Sequence, residues 1–439
     1  MIAVPTIAAE RPNVLVIMAD DLGYNDLGFQ GSETFETPHL DAIAKSGIIF
    51  KDAHTAASVC SPSRAGFITG RYQQRFGHEA NCPPNGLGMD TTELTMGQAF
   101  QSLGYSSYLV GKWHLGNSKE QYPTARGFDE FYGLREGSRS FFCKPNEKFN
   151  AHAIEHNGKH IKFEGHLTDR MTDEAIRMIG TNKEKPFFMF LSYTAPHGPL
   201  QATPKDLAKA DGDPYRALVQ NMDGNIGRLV ADLKKQKRYN NTIIWFLSDN
   251  GGTSAKASNY PLNGKKGIKL EGGQRVPFVF SWPAQVKTAK IYSELISAMD
   301  IFPTSLALAG GDTKPEKPFD GINIWPHLTG EDAAAPHDIL FWKKLEAKAV
   351  RQGDWKLILS EGLDPMLFDL GNNLGETKNL AKANPETVTR LTALINAWEK
   401  GHIPPLWEES KKYIKIRKES YGKFIKKGPQ KKLSDLGKK

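Results

Sequence analysis

The chain has 439 residues, 39% of them hydrophobic and 24% charged, ordinary proportions for a globular protein larger than one usual domain. Its formal net charge is +8, but residues 411–439 hold 12 Lys and Arg against 2 acids, leaving 45 basic and 47 acidic side chains elsewhere. The basicity therefore belongs to a tail. No apolar run approaches the roughly 20 residues that cross a bilayer, so no transmembrane segment is expected. No interleaved basic and aromatic pattern or zinc-finger spacing marks a nucleic-acid partner.

In chain order, MIAVPTIAAE at 1–10 resembles the end of a secretion signal without its basic start and implies a periplasmic or secreted protein. NVLVIMA (13–19), SSYLVG (106–111), PFFMFLSY (186–193), TIIWFLS (242–248) and PFVFSW (277–282) read as strands buried on both faces. Between them TPHLDAIAKSG (37–47), TTELTMGQAFQSLG (91–104), DEAIRMIG (173–180) and YRALVQNMDGNIGRLVADLKKQ (215–236) carry helical spacing. The alternation predicts an α/β fold with a mainly parallel central sheet sandwiched by helices over 11–319. From 320 the order changes. AKAVRQGDWKLILS (347–360) and PMLFDLGNNLGETKNLA (365–381) read as antiparallel strands, and PETVTRLTALINAWEKG (385–401) as an amphipathic helix. These predict a smaller C-terminal α+β subdomain with an antiparallel sheet over 320–410. Residues 411–439 read as a solvated, partly disordered Lys-rich tail that holds a polyanion at most by screened attraction.

Ligands of such sheets bind at the carboxyl ends of the strands, and four strand ends here deliver chemistry. The first runs into Asp20 and Asp21, the second into Lys112 and His114, the third into His197, the fourth into Asp249 and Asn250. Asp20, Asp21, Asp249 and Asn250 offer only oxygen, which suits Ca²⁺ or Mg²⁺, and adjacent buried carboxylates repel unless a cation joins them. Arg64, Lys112, Lys266, His114 and His197 would repel one another around an empty pocket, so they imply a bound tetrahedral anion. Cys60 precedes Ser61, Pro62 and Ser63, which read as the start of a helix ending near Gly70. The local pattern leaves two readings of Cys60 open, a packed thiol and a nucleophile at a helix N-terminus.

Seven ordered segments decide for more. CSPSRAGFITG (60–70) meets C-x-P-S-R-x-x-x-[LI]-T-G. GYSSYLVGKWH (104–114), RPNVLVIMADDLGY (11–24), RGFDEFYG (126–133), APH (195–197), SDNGG (248–252) and KGIKLEGGQRVPF (266–278) follow the same pattern. Over roughly 11–400 the chain resembles the type I sulfatases of the alkaline-phosphatase-like superfamily, and most of all bacterial carbohydrate sulfatases. The resemblance implies that Cys60 is oxidised by a formylglycine-generating enzyme to 3-oxoalanine (formylglycine). Its hydrate attacks sulfur with one hydroxyl and expels sulfate with the other as the aldehyde reforms. It further implies Ca²⁺, with Mg²⁺ as the alternative, on Asp20, Asp21, Asp249, Asn250 and the Cys60-derived hydrate. Asp249 would also take the proton of the attacking hydroxyl, Arg64 orient the hydrate, Lys112 and Lys266 bind sulfate, His114 move the proton that reforms the aldehyde, and His197 protonate the leaving oxygen. The implied substrate is a sulfated carbohydrate such as a carrageenan or a glycosaminoglycan. His78, Arg135 and Arg139 are candidates for a sugar subsite. Lys265 competes with Lys266 for its role, and Lys266 is preferred for its distance from Glu271. Glu271 and Arg275 are expected in a buried ion pair. Cys82 and Cys143 are either a disulfide or two free thiols. Two rivals remain: a phosphatase or phosphonate monoester hydrolase of the same superfamily, and a non-catalytic polyanion-binding protein.

Overall fold

The computed structural model describes residues 11–83 and 86–432; the leader-like residues 1–10 and the end of the tail lie outside them. Among the described residues, ten strands form one sheet in the order Lys290–Tyr292, Ile48–Phe50, Phe278–Ser281, Thr242–Ser248, Asn13–Ala19, Phe187–Ser192, Ser106–Lys112, Glu130–Leu134, Glu155–His156 and Lys159–His160. The central strands are parallel. Phe278–Ser281 is reversed between its two neighbours, and a short antiparallel hairpin closes the far edge.

Asn13–Ala19 shows why unbroken apolar runs become central strands. Val14, Val16 and Met18 enter one core cluster, while Leu15, Ile17 and Ala19 enter the one on the opposite face. Each fully buried aliphatic side chain of this kind contributes about 1.5–3 kcal/mol. Helices Pro38–Lys45, Leu167–Thr181 and Pro214–Lys235 supply buried residues to one face. Cys60–Thr69, Met96–Ser102 and Ile301–Leu308 supply the other. The 91–104 helix is shorter than its pattern because Thr95 and Gln98 form a reciprocal capping box that starts it at Met96.

A second sheet of four antiparallel strands, Ile339–Lys344, Ala347–Gln352, Trp355–Ser360 and Met366–Asp369, is a simple meander. Val350, Leu357 and Leu367 pack on Leu391 and Ile395 of helix Pro385–Glu399. On its other side Trp342, Ile358 and Phe368 share a cluster with Ile268, Leu270 and Tyr421. The small sheet thereby clamps the chain segment that carries Lys266.

Tyr421 corrects the reading of the tail. Residues Lys411–Lys427 form a helix rather than a solvated, disordered end. Tyr421, with Phe424 and Ile425, makes an apolar stripe at helical spacing that the density of lysines hides. Arg417 is buried in a two-pronged pair with Glu346 at 2.9 Å and a third bond to Glu409 at 2.7 Å. No helix among the described residues is long and apolar enough to cross a membrane.

Candidate active site

Register assembles the site. Ala19 lies opposite Ser248, Met18 opposite Ser192, and Gly111 opposite Ser192. Asp20, Lys112 and Asp249 therefore stand at one level of the same edge, at the ends of three of four consecutive parallel strands, the fourth of which ends in Ser192. The helix Cys60–Thr69, buried over its whole length, points its N-terminus at that edge, with Cys60 as its first residue. Val59 supplies no side-chain cap; the Asn81 side-chain oxygen accepts from the Ser61 N–H at 3.1 Å in its place. Gly70 ends the helix with φ of 65°, a conformation glycine adopts without strain.

Cys60 Sγ lies 3.5 Å from Asp20 Oδ1, 3.8 Å from Asp21 Oδ1 and 2.9 Å from Lys266 Nζ. Lys112 Nζ donates to Asp20 at 2.7 Å and Lys266 Nζ to Asp21 at 2.6 Å. His197 Nε2 is 3.6 Å from Asp21 Oδ2. Arg64 presents Nε and Nη2 to Asp249 Oδ2, both at 2.9 Å. Its Nη1 donates to the Lys112 carbonyl at 3.1 Å and to the Ser192 hydroxyl. Asp249 Oδ1 accepts from the Asp21 N–H at 3.2 Å. The Asp-Asn-Gly run needs its glycine, because a Cβ on Gly251 would lie 1.8 Å from the Gly272 carbonyl oxygen. Lys266, not Lys265, reaches Cys60.

The electrostatics follow from burial. Desolvation raises Asp20, while Lys266 and His197 outweigh it and hold Asp21 below the usual carboxylate range. Asp249 is likewise opposed by burial but lowered, Arg64 being the strongest of its cations. The Cys60 thiol goes up, through burial first and then Asp249. A helix N-terminus alone would favour a thiolate; here burial and neighbouring carboxylates win, so the unmodified thiol is a poor nucleophile. His114, buried among Lys112, Arg64 and Lys266, is held neutral well below the ordinary imidazole range.

A divalent cation fits these donors. Ligand atoms of Asp20, Asp21, Cys60 and His197 lie within 4.8 Å of one another. Asn250 Nδ2 donates to Asp21 at 2.7 Å, yet its buried Oδ1 meets no hydrogen-bond donor among the described residues. An acceptor left without a donor beside clustered carboxylates is the donor set of a hard cation.

The side chains of the three residues expected at a sugar subsite have protein partners of their own. His78 is fully buried beneath the Cys60 helix, its Nε2 2.6 Å from Ser61 Oγ and its ring against Trp407; burial pushes it down to about 3. Arg135 is spent on Glu155 at 2.7 Å and the Asn117 carbonyl. Arg139 is spent on Glu147 at 2.8 Å and lies over the Phe163 ring. Cys82 and Cys143 are free thiols. Sequence reasoning passed over Ser192, although it too ends a central strand and the same strand-end rule would have found it.

Residues 12–311 match the Sulfatase family. The chain belongs to that family. It is an enzyme, a sulfatase. It is 30% identical to arylsulfatase G of Rattus norvegicus over 86% of this chain and 84% of that one. It is also 30% identical to N-acetylgalactosamine-6-sulfatase of Homo sapiens, over 90% and 87%. Among solved structures, Ps i-CgsB in complex with k-i-k-neocarrahexaose superposes with a TM-score of 0.86 at 34% identity, covering 95% of this sulfatase and 99% of that chain. The fork of Arg64 is geometric, so in this sulfatase Arg64→Lys should lower kcat on an aryl sulfate about a hundredfold, since one ammonium replaces a planar donor set. Steady-state rates with a parallel thermal melt separate this from unfolding.

Proposed function

We propose that this sulfatase hydrolyses sulfate monoesters of a sulfated carbohydrate, a polysaccharide or its oligosaccharides, in the periplasm or outside the cell. It does so with Cys60 matured to formylglycine by a generating enzyme and with Ca²⁺ as the preferred ion. The observation that carries this is Cys60 Sγ, 2.9 Å from Lys266 Nζ and within 3.8 Å of two carboxylates. A resident cation and an anionic ester entering together cost less in a buried, charge-balanced pocket than either alone. Similarity to a protein solved with k-i-k-neocarrahexaose and to an N-acetylgalactosamine-6-sulfatase supports a sugar as the alcohol.

Formylglycine at position 60 would supply, as its hydrate, one oxygen to attack sulfur and a second to release sulfate. Asp20, Asp21, Asp249 and Asn250 would hold the cation, which would supply charge neutralisation for the sulfate. The chain's own residues do the rest. Lys112 and Lys266 bind the sulfate oxygens that gain charge in the transition state. Asp249, held ionised by Arg64, takes the proton of the attacking hydroxyl. His114, neutral in its buried setting, accepts the proton whose loss releases sulfate. His197, half-exposed at the mouth, donates a proton to the leaving sugar oxygen.

The test measures sulfate released from carrageenan and glycosaminoglycan oligosaccharides, 4-nitrophenyl sulfate and a phosphate monoester, after co-expression with a formylglycine-generating enzyme. The peptide bearing Cys60 is weighed alongside. The expected result is sulfate release from a sulfated oligosaccharide with a peptide about 18 Da lighter than the cysteine form. Phosphate turnover exceeding sulfate turnover would move the protein to phosphatase chemistry. A modified peptide with no release from any substrate would leave only anion binding.

A further inference from the structure

The cleft beside Lys266 has a second wall, and the Lys-rich helix builds it. A cavity of about 590 Å³ runs from Val59, Lys265 and Lys266 to Tyr413, Ile416 and Ser420, a size that encloses a compact ligand. The last three residues share a helix face at three- and four-residue spacing. The helix thus has two apolar features with different fates. Tyr421, Phe424 and Ile425 pack against the small sheet. Tyr413 and Ile416 remain 61% and 47% exposed at the cleft.

Charge along the walls is cationic, with Lys265, Lys266, Lys344 and Arg417 against Glu408 and Glu409. Most of that charge is engaged. Lys344 and Arg417 each bond Glu409 at 2.7 Å, and Lys266 bonds Asp21. Lys265 differs. It is exposed, and among the described residues no carboxylate lies within ion-pair distance of it. An exposed aromatic and aliphatic pair next to an unengaged cation matches a ring with an apolar C–H face and an anionic substituent.

We propose that this cleft seats the sugar adjoining the one that loses its sulfate. Tyr413 and Ile416 form the platform for that ring, and Lys265 pairs with a second sulfate ester on it. The assignment rests on the sulfated-carbohydrate reading above and deepens it, making a polysulfated oligosaccharide the preferred substrate over a small aryl sulfate. A platform touching only the neighbouring sugar contributes to oligosaccharide affinity and nothing to a substrate lacking that sugar.

The test uses wild type, Tyr413→Ala and Lys265→Met, all matured. Kinetics are read on sulfated iota-carrageenan and chondroitin sulfate hexasaccharides and on 4-nitrophenyl sulfate. Hexasaccharide binding is measured by calorimetry in a Cys60→Ala background, with melting temperatures as a fold control. Tyr413→Ala should raise KM and Kd for the better hexasaccharide about tenfold, with kcat and aryl sulfate turnover within twofold of wild type. Lys265→Met should raise them about threefold, an effect that fades with added salt. If wild type releases sulfate and both variants keep hexasaccharide KM within twofold, the cleft assignment falls and the sulfatase reading stands. If wild type releases none yet binds a hexasaccharide that Tyr413→Ala binds tenfold more weakly, the cleft stands and the hydrolytic reading falls. Equal hexasaccharide binding by all forms, or none by wild type, overturns the assignment.

Discussion

Cys60→Ala is expected to lower kcat/KM on a sulfate monoester by about four orders of magnitude or more, the scale on which removing a covalent nucleophile acts. The fold should survive. Cys60 is 1% exposed at the first position of its helix, and losing one sulfur there leaves a small cavity costing about 1 kcal/mol. Lys266 keeps its bond to Asp21, Lys112 its bond to Asp20, and Arg64 its fork on Asp249, so the charged pocket stays assembled. Expression without the maturation enzyme should give nearly the same loss, because the buried thiol is held protonated by desolvation and by Asp249. Rates on 4-nitrophenyl sulfate, a thermal melt and the mass of the Cys60 peptide check this together. Substantial turnover by a well-folded Cys60→Ala would assign the attack to another group.

How far the sequence announced this arrangement depends on what kind of signal each part emits. Asn13–Ala19 and Thr242–Ser248 appear at the residues read from the sequence, because a strand buried on both faces must be an unbroken apolar run. Polar residues directly after such runs can only sit at the sheet edge, so Asp20, Lys112 and Asp249 were legible as a group. Direction was less so: PFVFSW looks like its neighbours, and nothing in its composition marks the antiparallel pairing. Charged residues in irregular segments carried least information. Arg135, Arg139 and His78 found partners nearby in space that no spacing rule identifies, and the lysines of the tail concealed the stripe that docks it. The network around Glu271 joins it to Lys356, 85 positions on, and to His54, 217 positions back, and local pattern foresaw only its pair with Arg275, realised at 3.4 Å.

Lys356→Met should destabilise the protein by about 3–5 kcal/mol, the range for removing one partner of a buried ion pair. Lys356 and Glu271 are both fully buried, with Nζ 2.7 Å from Glu271 Oε1 and 2.9 Å from Glu376 Oε1. Glu376 also accepts from the Glu271 N–H at 2.6 Å. Without the ammonium Glu271 retains His54 at 3.0 Å and Arg275 at 3.4 Å, whereas Glu376, once it ionises, faces Glu271 with no cation of its own. The network also supports the site. Glu271 follows Lys266, Ile268 and Leu270 in the segment clamped by the small sheet, so activity should fall with stability. Chemical denaturation of wild type and variant measures the first and aryl sulfate rates the second. The same network gives a signed pH dependence. Burial raises Glu376 from 4.5 to about 7, with Lys356 opposing and Glu271 reinforcing the shift. Between those values the folded state keeps a proton that the unfolded chain has lost, so this group's stabilising contribution is full below pH 4.5 and declines up to about pH 7. Glu376→Gln mimics the protonated form and should remove that decline, seen as a wild-type-minus-variant stability difference that falls between pH 4.5 and 7 and is flat above it. A difference that was flat over that interval and rose instead below pH 4.5 would mean Lys356 outweighs burial and holds Glu376 ionised.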